Sequence, residues 1–210
     1  YEVGFTQQIG NSAALDITGY FKEVRNYTMM ENRLDGHVNG NPQVWAQYQN
    51  GDFGIVKGLS FNLNMRRVKG IMTNVSYTVS FAEGTGSDAA SNFNIAWIGD
   101  TYPTTINPLE YDQRHTGSVM VDYRSDKLSG LFADLGLNLL YQFGSGTAYT
   151  PAQVYSVVND RDWLTPLASI NSAYKPWTST LDLKLDKGLS IAGYQTTVYL
   201  LVNNILNTNN

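Results

Sequence analysis

The chain has no cysteine, which excludes disulfides and thiolate metal sites. It is also poor in charge. Asp, Glu, Lys and Arg make up 15% of its 210 residues, against ~25% in ordinary soluble domains. There is no excess of basic residues: the net charge is -4 and the pI ≈ 5.1, so the electrostatic footprint of a nucleic-acid partner is missing. No apolar run approaches the ~18 residues of a transmembrane helix, and the mean hydropathy is -0.26. What the chain does have is 14 Tyr, 8 Phe, 4 Trp and 19 Gly. Few charges, many Tyr and Gly and no helical hydrophobic run leave one class prominent, the transmembrane β-barrel, in which alternating polar and apolar residues average out. The chain opens on Tyr1-Glu2-Val3-Gly4-Phe5, already alternating, with no Met and no signal-peptide pattern. An exported barrel needs a leader, so the expectation is a removed leader or a start within a longer protein.

Period-two alternation runs through most of the sequence. Tyr1, Val3, Phe5 and Ile9 oppose Glu2, Gly4, Thr6 and Gln8, and Gly10-Asn11-Ser12 reads as a tight turn. The next runs place Leu15, Ile17 and Phe21 opposite Asp16, Thr18, Tyr20 and Lys22, then Ile55, Leu59, Phe61, Leu63 and Met65 opposite Gly58, Ser60, Asn62, Asn64 and Arg66. After a turn at Val68-Lys69-Gly70, Val75, Tyr77, Val79 and Phe81 oppose Asn74, Ser76, Thr78 and Ser80. Val119, Val121 and Tyr123 oppose Ser118, Asp122 and Arg124, with a short connection through Ser129-Gly130 to Leu135, Leu137, Leu139, Tyr141 and Phe143. Leu181, Leu183 and Leu185 oppose Thr180, Asp182, Lys184 and Asp186. A turn at Lys187-Gly188 then leads to Val198, Leu200 and Val202 opposite Thr197, Tyr199 and Asn203. This predicts eight antiparallel strands.

Connections after the first, third, fifth and seventh strands are short, whereas those after the second, fourth and sixth are long, spanning residues 30–51, 82–113 and 144–175. Strict alternation of this kind belongs to outer-membrane barrels, with short periplasmic turns and long extracellular loops. The expected fold is therefore an all-β, antiparallel transmembrane β-barrel segment. A charge on the lipid face costs a barrel about 2–4 kcal/mol at the bilayer midplane for Lys or Arg. Asp122, Arg124, Asp182 and Lys184 must then face the lumen and the Leu, Val and Phe faces the lipid, with Tyr123, Tyr141, Trp177 and Tyr199 suited to an aromatic girdle. A soluble β-sandwich explains the alternation equally well, but not the loop asymmetry, the charge deficit or the mix of Asn, Ser, Thr and Asp on long strands.

Five segments, in order along the chain, resemble TonB-dependent outer-membrane receptors: Tyr1–Gln8 with Ala14–Lys22, Gly54–Ser60, Asp112-Gln113-Arg114-His115, Gly144–Pro151 and Val202–Asn210. The resemblance implies a 22-stranded barrel around an N-terminal plug, importing siderophores, vitamin cofactors, glycans or peptides with energy from the TonB complex of a Gram-negative cell. It covers the last third of such a barrel, about strands fourteen to twenty-one. It implies that residues 1–210 are a C-terminal portion whose plug and final strand lie elsewhere. The implied partners are outer-membrane lipid, the remainder of the receptor and, through it, the TonB complex. A lipoprotein or other outer-membrane partner chain is compatible with the sequence but not indicated by it. Eight strands could also close as a small autonomous barrel, an adhesin or structural protein, and the soluble binding module is the third reading.

Chemistry-bearing residues are few. His115 sits beside Asp112 and near Ser118, but nearness in sequence does not supply triad geometry, and a structural role at the barrel rim is expected. His37 has no second His or any Cys near it for a metal site. Asp160-Arg161-Asp162 and Glu110-Tyr111-Asp112 match no calcium-loop spacing. No cofactor, metal site or enzymatic activity is expected. The best ligand-binding candidates are the loop aromatics Trp45, Tyr48, Trp97, Tyr102, Tyr155 and Trp163, because rings give large contact area at low entropic cost.

Overall fold

A computed structural model describes residues 1–38, 41–91, 105–125, 132–158 and 161–208, and their side chains except those within 32–44 and 155–164. Eight long strands follow one another in a single antiparallel sheet: β1 (Glu2–Ile9), β2 (Ala13–Val38), β3 (Asn41–Val68), β4 (Ile71–Gly84), β6 (His115–Arg124), β7 (Leu135–Gly144), β12 (Thr178–Ile191) and β13 (Tyr194–Val202). Short strands complete the connections. β5 (Asn107–Pro108) pairs antiparallel with the top of β4, β8 (Ala148–Tyr149) pairs β11 (Ala173–Tyr174), and β9 (Ala152–Val158) pairs β10 (Arg161–Pro166). β1 and β13 each pair with one neighbour, so among the described residues the sheet is an open wall with two exposed edges.

The turns follow backbone chemistry. Lys69 (φ 50) and Gly70 (φ 88) form a two-residue hairpin loop with Val68 opposite Ile71. Positive φ at both central residues is the primed geometry that matches strand twist. The hairpin expected at Lys187-Gly188 is displaced. β12 runs through it, with Lys187 opposite Val198 and Gly188 opposite Thr197, and turns at Ala192 (φ 52) and Gly193 (φ 86). Gly188 fits in the strand because its N–H donates to Asp134 O at 2.9 Å, a bond no turn would make. Ser129 and Gly130 lie outside the described residues.

The first long connection, expected over 30–51, is strand instead. β2 and β3 go on pairing to Val38 opposite Asn41, while β4 leaves the sheet at Gly84 opposite Gly54. The two strands thus rise above the wall as a ribbon. Its alternation is unreadable in sequence because both of its faces lie beyond the segregated part of the sheet. At its base Asn26 (φ 60) and skips in the register mark a bulged junction.

The register sorts residues onto two faces. Across one run Phe5, Ile17, Phe61, Tyr77, Gly117 and Phe143, with Gln7, Leu15, Leu63, Val75, Val119, Tyr141 and Leu181 in the next row. Five such rows, from Val3–Gly19–Leu59–Val79–His115 down to Ile71–Tyr123–Leu137–Leu185–Leu200, carry no Asp, Glu, Lys or Arg. The opposite face carries Thr6–Asp16–Asn62–Ser76–Ser118–Gln142–Thr180.

Candidate functional site on the polar face

Hydroxyls dominate the middle of the polar face and satisfy one another across strands. Ser60 Oγ lies 3.0 Å from Thr78 Oγ1, Ser76 Oγ 2.8 Å from Ser118 Oγ, and Thr6 donates to Asp16 at 2.6 Å. A trough of ≈ 420 Å³ opens over β4, β6, β7 and β12, floored by Ser76, Thr116, Ser118, Gln142 and Thr180. No charged side chain lines it.

Charges gather instead near the short turns. Asp122 accepts from Arg67, lies 3.5 Å from Arg124 Nε and accepts from Asn138 Nδ2 at 3.4 Å, while Arg124 donates onward to Asp186. Asp122 and Asp186 are both buried. Gly136 makes the chain of pairs feasible, since a Cβ there would sit 2.3 Å from Arg124 Nη1 and 2.6 Å from Asp186 Oδ2. Arg67 was invisible to strict alternation, which assigns odd positions of β3 to the apolar face. A bulge between Met65 and Val68 sets two residues against one on β4 and turns Arg67 toward Asp122. Of the four charged residues expected on this face, Asp122 and Arg124 therefore act together. Asp182 is separate, accepting from the Asn204 N–H at 2.8 Å, and Lys184 Nζ lies 5.7 Å from the Tyr199 ring centroid. Tyr199 stands opposite Asp186 on the charged face, which corrects its expected place in a lipid-facing girdle. The register slip of the displaced turn does not alter its parity, and the ring's neighbour on that face is Lys184.

At the long-connection end, Asp112-Gln113-Arg114-His115 ties four segments together. Asp112 is 1% exposed. Its carboxylate accepts from the Ala82 N–H at 2.8 Å and the Tyr174 hydroxyl at 2.6 Å, and its carbonyl accepts from the Ala148 N–H at 3.2 Å. Burial, then the adjacent carboxylate, push the Tyr174 hydroxyl up to about 12. Arg114 lies 5.1 Å from the Phe81 and 4.6 Å from the Tyr174 ring centroids. Gln113 donates to Ser145 O at 2.6 Å. His115 Nδ1 is 2.7 Å from the Tyr77 hydroxyl, and its ring stacks on Trp177 at 5.4 Å. The imagined triad is absent: Ser118 pairs with Ser76 on the opposite face of β6 from His115, and Asp112 is committed to Ala82 and Tyr174. His37 and Asp160 lie outside the described side chains, and among the described residues no cluster of metal-ligating side chains forms.

A second buried carboxylate, Asp52, sits at the ribbon base. It accepts from Thr85 Oγ1 at 3.0 Å and has no cationic partner among the described residues. Burial raises its pKa above the ordinary carboxylate range, partly offset by the Thr85 bond.

The ring candidates do not form one cluster. Trp45 pairs Arg33 and Tyr48 pairs Met30 in an unbroken stretch of ribbon, so the odd three-residue offset places the two rings on opposite faces. Both are exposed, at 42% and 62%. Trp163 stands opposite Ser156 and Tyr155 lies on β9, with side chains outside the described set. Trp97 and Tyr102 lie outside the described residues.

No family model and no curated protein matches the chain. Among solved structures, the outer membrane transporter YddB from Escherichia coli superimposes with a TM-score of 0.65 at 12% identity, over 99% of this chain. This chain spans 28% of that transporter's length. The likeness is one of fold: the wall described above is an all-β, antiparallel segment of the kind that builds an outer-membrane transporter barrel.

Proposed function

We propose that the chain forms part of the barrel wall of an outer-membrane receptor of the TonB-dependent type, taking up a nutrient such as a siderophore, glycan or peptide. The observation that carries this reading is the face without charge. Five rows spaced two residues apart cover about 27 Å along the strands. At a strand tilt of ~40° that is about 20 Å of height, close to the ~25 Å apolar band of an outer-membrane barrel. The seven-strand polar face and the Arg67–Asp122–Arg124–Asp186 chain lie behind it, where water or a plug domain solvates them. In this reading the two-residue turns face the periplasm and the ribbons face outward. The remainder of the receptor, with its plug and further strands, pairs the two open edges, which cannot stay unpaired in lipid. Trp45 on one ribbon face, and Tyr48, Trp97, Tyr102, Tyr155 and Trp163 elsewhere in the outer connections, contact the ligand.

The absence of cysteine makes the test direct. Single variants Ser118→Cys and Thr180→Cys should react with a membrane-impermeant maleimide in native outer membranes. Val119→Cys and Leu183→Cys should stay silent until detergent is added. Equal reactivity of the two sets would refute the membrane reading. Ligand uptake that survives loss of the TonB complex would refute energised import while leaving the barrel intact.

A further inference from the structure

Two rows of the polar face shape the hydroxyl trough. The upper row is Thr78–Thr116–Gly144–Thr178 and the lower is Ser76–Ser118–Gln142–Thr180. The upper row has no side chain at Gly144, and the Gln113 carboxamide occupies that gap, with Nε2 2.5 Å from where a Gly144 Cβ would stand. Gln113 donates one N–H to Ser145 O. Its side-chain oxygen, and the side chains of Thr116, Gln142 and Thr180, hold no hydrogen bond among the described residues. The Ser76–Ser118 pair uses one of its two O–H donors and one of its four lone pairs, so it too can bond a ligand. Charge stays away from the trough. Arg114, two residues before Thr116, turns to Phe81, Tyr174 and Asp112. The Asp122 row lies six residues below Thr116, about 20 Å along the strand. Beside the trough the Tyr20 ring reaches over Gly58, with its hydroxyl 2.6 Å from where a Gly58 Cβ would stand. Gly58 pairs Ser80, one row above Ser60 and Thr78 on the same face.

We propose that this trough binds an uncharged, hydroxyl-rich ligand, a neutral oligosaccharide, just inside the outward mouth of the lumen. Carboxamides and hydroxyls both donate and accept, as sugar hydroxyls do. Adjacent strands repeat them at about 4.8 Å, near the length of one sugar ring, so successive units of a chain meet successive strands. Tyr20 offers a ring at one end, against which the C–H face of a sugar packs. An anionic chelate or a charged peptide would lose water here with no counter-charge to replace it, and the trough disfavours both. Its volume of ≈ 420 Å³ falls within the ~300–1,000 Å³ of small-ligand sites. The rings of the outer connections then serve first capture, and the strands of the wall hold the next stage of the path.

The inference rests on the receptor reading above, and one experiment separates the two. In native outer membranes, Thr180→Cys in the whole receptor is labelled with the impermeant maleimide in the presence of one of four pools. These are neutral oligosaccharides from glucans, mannans and xylans, acidic oligosaccharides from pectin and alginate, ferric siderophores, and a peptide digest. The neutral pool alone should slow labelling, by roughly fivefold or more. It should leave Met72→Cys, on the same face near the short turns, unaffected. In the Thr180→Cys background, Gln142→Leu should remove most of the protection. Thr116→Val, which keeps the outline and loses one hydroxyl, should weaken it about three- to tenfold, the worth of one neutral hydrogen bond. Protection by the neutral pool that persists in both variants would overturn the trough as the site. Protection by another pool instead, or by none, would overturn the ligand class. A Thr180→Cys that reacts only after mild urea has displaced the plug would make the trough a plug seat and overturn the proposal. Labelling that waits for detergent, as at Leu183→Cys, would sink the membrane reading itself.

Discussion

Replacing Asp112 should loosen the wall where β4, β6, β8 and β11 meet. The carboxylate holds two hydrogen bonds, from the Ala82 N–H and the Tyr174 hydroxyl, and bonds to a charged acceptor contribute ~1.5–3 kcal/mol each. Ala82 is 7% exposed, so its N–H finds no ready water once the acceptor is gone. Tyr174 is partly exposed, and water replaces part of its bond. The Arg114 contact at 3.5 Å involves a half-exposed guanidinium and adds little, as such pairs do. Asp112→Ala should therefore cost about 3–5 kcal/mol and Tyr174→Phe about 1–2 kcal/mol. The double variant should fall short of the sum by about 1–2 kcal/mol, because the two residues share one bond. Urea unfolding of the lipid-refolded protein measures the energies. Hydrogen exchange localises them, since the amides of Ala148 and Lys175 should exchange faster while that of Leu139 does not. The alkaline limb offers a second check. The fold holds the Tyr174 proton with a pKa of about 12 against an ordinary 10.0. Stability is thus full below pH 10 and falls between 10 and 12, where only the unfolded chain has released the proton; Tyr174→Phe should remove this component. An Asp112→Ala variant within about 0.5 kcal/mol of wild type, or a cycle with no coupling, would refute the reasoning.

Gly136→Ala should cost about 1–3 kcal/mol, because the added methyl forces Arg124 and Asp186 apart. In an Arg124→Met background most of that cost should vanish, which urea unfolding can read. Asp52→Asn should stabilise the protein at pH 7. Burial makes the folded state hold the Asp52 proton more tightly than the unfolded chain does, so stability is complete below the ordinary 3.8 and declines as pH rises through the elevated value. The advantage of the Asn variant should therefore close below about pH 4 in denaturation curves taken across pH; a gap that does not vary with pH would contradict it.

Alternation made the wall legible, because a sheet with one apolar and one polar face writes its period into every strand. Eight strands, their order and the faces of Asp122, Arg124, Asp182 and Lys184 follow from it. Three things escaped. Arg67 needed a bulge that adds a residue without any turn signal. The displaced β12–β13 turn used Ala192 at φ 52, a residue with no turn signature, while Lys187-Gly188 imitated one inside a strand. The β2–β3 ribbon stands above the segregated part of the wall, so its sequence loses the pattern although its backbone keeps the ladder. The role of Asp112 was out of reach for another reason. Its partners are Ala82 at the top of β4 and Tyr174 on the short strand β11, far apart in sequence, and their meeting point depends on how the long strands are spaced. The ring candidates were chosen by type alone, and the ribbon register separates Trp45 from Tyr48.

The long strands pair strictly in the order in which the chain supplies them. Neighbours in the wall are neighbours in sequence: β4 and β13 zip onto the strand before them from the two-residue hinges Lys69-Gly70 and Ala192-Gly193, while β6 and β12 join across longer connections. Growth of such a wall is a succession of local closures with small loop entropies, so its edge advances by one hairpin at a time. The same property makes the hairpin the natural unit of change in the gene. A pair of strands can be gained, lost or exchanged without rethreading the rest, provided the new rows keep their charges on the side of Asp122 and Arg124.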